Sequence, residues 1–197
     1  MAGKTVGVLA LQGDVAEHLV ALEQCGVATR EVRTADDLAA CDGLILPGGE
    51  STTMGRLLNR YDLLEPLQAR GRAGMPMYGT CAGLILLARE VQDGVPGQPS
   101  LGLLDATAVR NAYGRQVDSF ESDLALPALG EKPFHAVFIR APGLTRLGSG
   151  VETLGQLGDK TVAVRQGNVL ATSFHPELSG DLRLHRYFVS MIEQRLR

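Results

Sequence analysis

The first half of the chain alternates short apolar runs with amphipathic stretches. Residues 5–11 (Thr-Val-Gly-Val-Leu-Ala-Leu) are apolar on both faces and predict a buried strand. Residues 14–24 then carry Val15, Leu19 and Leu22 at helical spacing, and Cys25-Gly26 ends that helix. Strands at 29–32 and 43–46 follow, the second stopping at Pro47-Gly48-Gly49. Residues 52–59 and 65–72 read as helices, 75–78 as the next strand and 82–91 as the next helix. Strands and helices in this alternation imply a mainly parallel sheet covered by helices, an α/β fold. Beyond residue 106 the strands become shorter and turn-rich, at 106–110, 136–140, 161–166 and 169–174, and predict a short antiparallel extension. Residues 181–197 form a closing amphipathic helix with Leu184, Phe188, Met191 and Ile192 inward. The Gly/Pro-rich stretch 92–100 is a surface loop rather than a linker, because its flanks complete one another, so one domain over residues 1–197 is expected.

One segment interrupts this pattern with chemistry. Gly79-Thr80-Cys81-Ala82-Gly83 sets a cysteine between two glycines where a strand turns into a helix. Such a turn holds a nucleophile in a strained conformation, the glycines remove side chains that would clash with the bend, and the helix amides aimed at the sulfur favour thiolate. Loops at the carboxyl ends of parallel strands share one edge, where ligands bind. Topology therefore brings Gln12-Gly13, Gly48-Gly49-Glu50-Ser51 and Gly79-Thr80-Cys81 together. The backbone N–H groups at Gly48, Gly49 and Ala82 become candidates for an oxyanion hole, against the plainer alternative that Pro47-Gly48-Gly49 is only a turn. No Gly-Lys-Ser/Thr follows, so the loop is not a phosphate loop of the usual kind.

A thiol nucleophile needs a base, and Ser173-Phe174-His175-Pro176-Glu177 offers one at the end of an apolar strand. Pro176 forces His175 to be extended, and residues two apart on an extended segment project to the same side. Glu177 is thereby placed to orient the imidazole, with Cys81 as nucleophile and His175 as base. Alone, His175 would read as a core histidine and Glu177 as a surface carboxylate; the cysteine elbow tips the balance. His18 and His185 fall within helices and read as surface or partly buried residues, and His135 precedes a strand without an acidic neighbour in sequence. Cys25 and Cys41 read as buried packing residues. Residues 110–121 are polar and turn-rich, a solvated hairpin on the plainest reading.

Composition narrows the partners. At 197 residues and 45% hydrophobic content, the chain can bury roughly 70% of its unfolded surface. A formal charge of −3 without a Lys/Arg run gives nucleic acid no footprint. No apolar run approaches the ~20 residues that span a bilayer, and residues 1–5 lead into a strand without the features of a signal peptide. A soluble cytoplasmic protein is expected. Three cysteines make neither an even disulfide set nor a C-x-x-C metal spacing, so reduced thiols and no metal are expected.

With these residues in view, the chain resembles the triad glutamine amidotransferases, and among them the family of glutaminase subunits of pyridoxal 5′-phosphate synthases. The resemblance covers nearly the whole chain. It is carried by residues 7–13, by Leu46-Pro47-Gly48-Gly49-Glu50-Ser51-Thr52-Thr53-Met54, by Gly79-Thr80-Cys81-Ala82-Gly83-Leu84, by residues 110–121, by Phe138-Ile139-Arg140-Ala141-Pro142 and by residues 173–178. The elbow and His-Pro-Glu mark the wider superfamily, whereas the Gly-Glu-Ser-Thr-Thr loop and the Arg110 segment are more specific. The resemblance implies a flavodoxin-like open sheet with helices on both faces. It implies that Cys81 attacks the glutamine side-chain amide to give a thioester, with His175 as acid and base and Glu177 orienting it. It places glutamine against Gly49, Glu50, Ser51, Arg110, Ile139 and Arg140, with Arg110 or Arg140 suited to the α-carboxylate. It implies that this chain binds no cofactor itself and passes ammonia to a separate synthase subunit, a β/α barrel, in a large hetero-oligomer, with Gln12 near that contact. Three alternatives stay open: the glutaminase of another amidotransferase, such as imidazole glycerol phosphate synthase; a redox-sensing or chaperone-like protein of the same fold; and a non-catalytic glutamine-binding module.

Overall fold

The computed structural model describes residues 3–110, 112 and 119–196. In chain order the elements are β1 (Thr5–Leu9), α1 (Val15–Gln24), β2 (Ala28–Val32), α2 (Ala35–Ala39), β3 (Gly43–Leu46), α3 (Ser51–Arg60), α4 (Leu64–Arg72), β4 (Met77–Thr80) and α5 (Ala82–Leu87). The second half contributes β5 (Ala88–Gln92), β6 (Leu104–Val109), β7 (Ser119–Leu124), β8 (Phe134–Ile139), β9 (Gly143–Leu147), β10 (Glu152–Leu157), β11 (Lys160–Gln166), β12 (Val169–Thr172) and α6 (Arg183–Arg195). The central sheet runs β10-β11-β12-β4-β3-β1-β2. From β12 to β2 every pairing is parallel, whereas β10 and β11 add on antiparallel.

Period-two alternation divides the buried residues between the two faces of this sheet. Leu9, Leu44, Leu46, Met77, Val169 and Ala171 join one apolar cluster with α3, α4 and α5. Val6, Val8, Ile45, Tyr78 and Leu170 join the other with α1 and α6. Aromatic weight falls on the second face, where Phe174 lies 5.7 Å from Phe134 and 5.5 Å from Phe138 between ring centroids. The closing helix buries Leu184, Phe188, Met191 and Ile192, as its spacing predicts.

Several sequence expectations change. The helix expected over 82–91 stops at Leu87, and β5 pairs with β6 instead. The carbonyls that a continuing helix would use are taken from outside: Leu101 N–H donates to Leu86 O at 2.7 Å and Leu103 N–H to Leu87 O at 3.0 Å. The antiparallel extension also divides. Only β10 and β11 extend the main sheet; β6 belongs to a three-stranded sheet with β5 and β9, β8 pairs with β7 in a two-stranded one, and β12 is parallel to β4. The short α2 was not foreseen, although Thr34 and Asp37 form a capping box at its start. Of the hairpin expected over 110–121, residues 111 and 113–118 lie outside the described residues, while the rest runs into β7. Among the described residues no helix is long and apolar enough to cross a membrane.

The glycines around the cysteine act through packing as much as through the bend. A Cβ at Gly83 would lie 2.0 Å from the carbonyl oxygen of Leu46, and one at Gly79 would lie 2.5 Å from the backbone of Gly83. Helix α5 therefore rests on β3 and β4 at a distance only glycine permits. Gly83→Ala should lower stability by roughly 1–3 kcal/mol, the usual cost of overpacking against unyielding backbone, read as a lower denaturant midpoint with an unchanged slope. An unchanged midpoint would show that α5 is free to move off β3.

Candidate active site

The carboxyl ends of the parallel strands open onto a cavity of about 380 Å³ lined by Gln12, Asp14, Gly49, Glu50, Ser51, Cys81, Ala82, Ile85, Arg110, Ile139, Arg140 and His175. Topology thus brings the three glycine-bearing loops together as the sequence predicts. Cys81 has φ +48° and ψ −101°, a conformation that L-residues rarely adopt. Its amide donates to Thr172 O at 2.8 Å, tying the turn to β12, and its side chain is almost wholly buried with Sγ 3.8 Å from Ile139 O.

His175 follows β12 and reaches the same cavity. Its amide donates to Val137 O at 2.8 Å, so β8 fixes the backbone that carries it. Nδ1 lies 2.8 Å from Glu177 Oε1 and 3.2 Å from Asp14 Oδ2. Burial lowers the affinity of His175 for a proton, but hydrogen bonds with Asp14, Cys81 and Glu177 override it and lift its pKa to about 12. The Glu177 side chain is fully buried, not the surface carboxylate of the plainer reading, and that burial raises its pKa while the bond to His175 opposes the rise. Among the described residues, Asp14, His175 and Glu177 converge their ligand atoms within 4.8 Å. Both carboxylates already face the imidazole Nδ1, and those contacts account for the convergence.

The Gly48-Gly49-Glu50 loop is fixed from three directions. Gly48 O accepts from Asp14 N–H at 3.2 Å, and a Cβ at Gly48 would stand 2.3 Å from His175 Cε1. Gly49 has φ +151°, and Gln12 fills the space beside it, where Gln12 Oε1 accepts from Glu50 N–H at 2.7 Å. Glu50 caps α3, accepting from Thr52 N–H at 3.0 Å and Thr53 N–H at 2.7 Å. Burial pushes its carboxyl up, but bonds from Thr53 and Thr52 hold the pKa at about 2. Arg110 donates to Glu50 Oε1 and Thr52 Oγ1, each at 3.2 Å. Ser51 is nearly buried and accepts from Gln98 Nε2 at 3.1 Å, so the 92–100 loop touches the site. Arg140, at φ +42°, and the half-exposed Ile139 form the opposite wall.

Sequence reasoning missed Asp14, although it shares the first strand's loop with Gln12. It also misplaced two histidines. His18 and His185 are completely buried: His18 Nδ1 lies 3.0 Å from His185 Nε2, and His18 Nε2 lies 3.2 Å from Thr80 Oγ1 and 3.3 Å from Glu177 Oε2. Helical spacing could not show that α1 and α6 turn these histidines toward each other. His135 finds acidic partners across the β7–β8 pair, at Asp123 and Glu121. Cys41 is buried as expected; Cys25 is only partly so.

The profile of the SNO glutamine amidotransferase family matches residues 8–194. The chain is 60% identical over 189 residues to the pyridoxal 5'-phosphate synthase subunit PdxT of Herpetosiphon aurantiacus, covering 95% of this chain and 100% of that protein. It is 57% identical over 196 residues to the subunit of the same name from a Parafrankia species, covering 100% and 97%. A solved crystal structure of glutamine amidotransferase superposes with a TM-score of 0.90 at 53% identity, over 95% of this chain and 98% of that one.

Burial lowers the pKa of His185 from 6.5 to about 4. The unfolded chain therefore binds the extra proton first, and stability present above pH 6.5 is lost as the pH falls toward 4. The loss attributable to this group reaches roughly 3 kcal/mol at most. Denaturant midpoints measured across that range should fall less steeply in His185→Phe than in the wild type; parallel curves would show that His185 titrates normally in the folded protein.

Proposed function

The chain belongs to the SNO glutamine amidotransferase family, and from that premise we propose which of its residues carry the hydrolysis of glutamine. The protein is a glutaminase that converts L-glutamine to L-glutamate and ammonia, and the ammonia serves pyridoxal 5′-phosphate synthesis. The observation that carries the assignment of roles is the strained Cys81 at the cavity floor beside a histidine whose far nitrogen is held by a buried carboxylate.

Cys81 Sγ, its proton already passed to His175 Nε2, attacks the amide carbon. Nδ1 is engaged by Glu177 and Asp14, which leaves Nε2 as the working nitrogen and stabilises the imidazolium. The backbone N–H groups of Gly48, Gly49 and Ala82 receive the oxyanion; one such donor is worth ~3 kcal/mol of transition-state stabilisation. Collapse breaks the C–N bond, His175 returns its proton to the departing ammonia, and a γ-glutamyl thioester remains. His175 then takes a proton from water as it attacks the thioester, and glutamate leaves with the thiol restored.

Gly49, Glu50, Ser51, Arg110, Ile139 and Arg140 hold the glutamine. Glu50 is already consumed by the cap of α3, so its contribution is to aim Arg110 rather than to offer a free carboxylate. Arg110 then meets the α-carboxylate. A separate β/α-barrel synthase subunit accepts the ammonia within a large cytoplasmic hetero-oligomer. Gln12 couples docking to catalysis, because the same side chain that occupies Glu50 N–H also presses on Gly49, and moving it frees the loop to complete the oxyanion hole.

Ammonia release should be low for this chain alone and rise when the synthase subunit is added, whereas Cys81→Ala should lose roughly a thousandfold or more of the activity while still binding that subunit. Robust turnover by Cys81→Ala would sink the mechanism. Arg110→Ala should raise KM for glutamine about tenfold or more with a smaller change in kcat, as expected for a lost bond to a charged group; an unchanged KM would move the carboxylate contact to Arg140.

A further inference from the structure

The acid–base network does not end at Glu177. Its Oε1 meets His175, but Oε2 is buried with no hydrogen-bond partner of its own, and His18 Nε2 stands 3.3 Å from it. A buried carboxylate oxygen left without a donor is costly. We propose that His18 is a positioning residue for the glutaminase reaction, sharing its Nε2–H between Thr80 Oγ1 and Glu177 Oε2 so that Glu177 stays ionised and aimed at His175. The proposal rests on the roles assigned above to Cys81, His175 and Glu177.

The tautomers follow from the contacts. Glu177 can only accept when ionised, so the proton of His18 belongs on Nε2, which leaves Nδ1 bare. His18 Nδ1 must then accept, and the group facing it at 3.0 Å is His185 Nε2, which therefore carries the proton. That choice leaves His185 Nδ1 as a bare lone pair, and it is buried without a partner. The opposite assignment would bury an unpaired N–H there, the costlier of the two orphans. Donors thus run in one direction, from α6 through α1 to the carboxylate. Both histidines are held neutral, chiefly by burial. Other titratable groups that bear on Glu177 are His175 on its own segment, Asp14 from the first loop and Tyr78 from β4. Asp14 raises the pKa of Glu177, which sharpens its need for a donor.

Gln and Met have nearly the same shape, and only Gln keeps an N–H, so the two substitutions separate donation from packing. With the synthase subunit present, His18→Met should lower kcat for ammonia release roughly tenfold to a hundredfold, the range set by a hydrogen bond to a charged group, with KM within about twofold. The acid limb of its kcat/KM profile should move to higher pH, because Glu177 protonates more readily without the donor. His18→Gln should recover most of the rate and the original profile. Equal behaviour of the two variants, in rate and in pH profile, would overturn the proposal. The wild-type protein tests it without substitution: 15N NMR of labelled histidine should find His18 protonated at Nε2 and bare at Nδ1, and the reverse tautomer would also overturn it. Cys81→Ala, run alongside, keeps the two readings apart. Its turnover would refute the thiol mechanism, whereas a dead Cys81→Ala beside equal Met and Gln variants would refute only the role of His18.

Discussion

The backbone of Cys81 is the constraint on which the rest of the site depends. A left-handed conformation costs an L-residue about 1–2 kcal/mol, and it persists only where neighbours over-determine it. Thr172 O takes the Cys81 amide from one side, and the approach of Gly83 to Leu46 O presses from the other. Were α5 farther from β3, the turn could relax. The parallel register of β3, β4 and β12 is therefore part of the reactive centre, because it sets where the turn must occur.

The same register positions the proposed base. β12 pairs with β4 residue for residue, from Val169 against Met77 to Thr172 against Thr80, so Cys81 and His175 follow adjacent strands that end at the same level. Glu177 follows on the short turn Pro176–Leu178, whose proline forbids His175 a helical conformation. Two strands that end together and one proline thus bring Cys81, His175 and Glu177 together, and the first loop adds Asp14 as a second carboxylate on Nδ1. Bonds with Asp14, Cys81 and Glu177 together outweigh the burial that would otherwise lower the proton affinity of His175.

The sheet was legible because its strands carry apolar residues on both faces, and the elbow and the His-Pro-Glu segment were legible because their spacing states a geometry locally. What depended on distant parts of the chain was not. Helical periodicity runs past Leu87, and only the amides of Leu101 and Leu103, which take the carbonyls of Leu86 and Leu87, end the helix. The small sheets around β6 and β8 were merged into one extension because short strands do not announce their partners. His18 and His185 looked like surface residues because a histidine buried without apparent reason is rare; the reason is each other, across α1 and α6. Glu50 looked like a substrate contact, and the structure shows it also spent on the cap of α3.

Burying two neutral histidines and a carboxylate between α1, α6 and the turn after β12 runs against stability, since an apolar filling of equal volume would avoid their desolvation. That cost falls behind the proposed triad, on a sheet face that also packs Phe134, Phe138, Phe174 and Phe188. A polar seam in so aromatic a core is hard to account for by folding alone. It makes sense if the carboxylate must remain charged out of reach of water, because a solvated Glu177 would orient His175 weakly and an unsupported buried one would take up a proton. The seam lets the site be dry at the rear and open toward the cavity at the front.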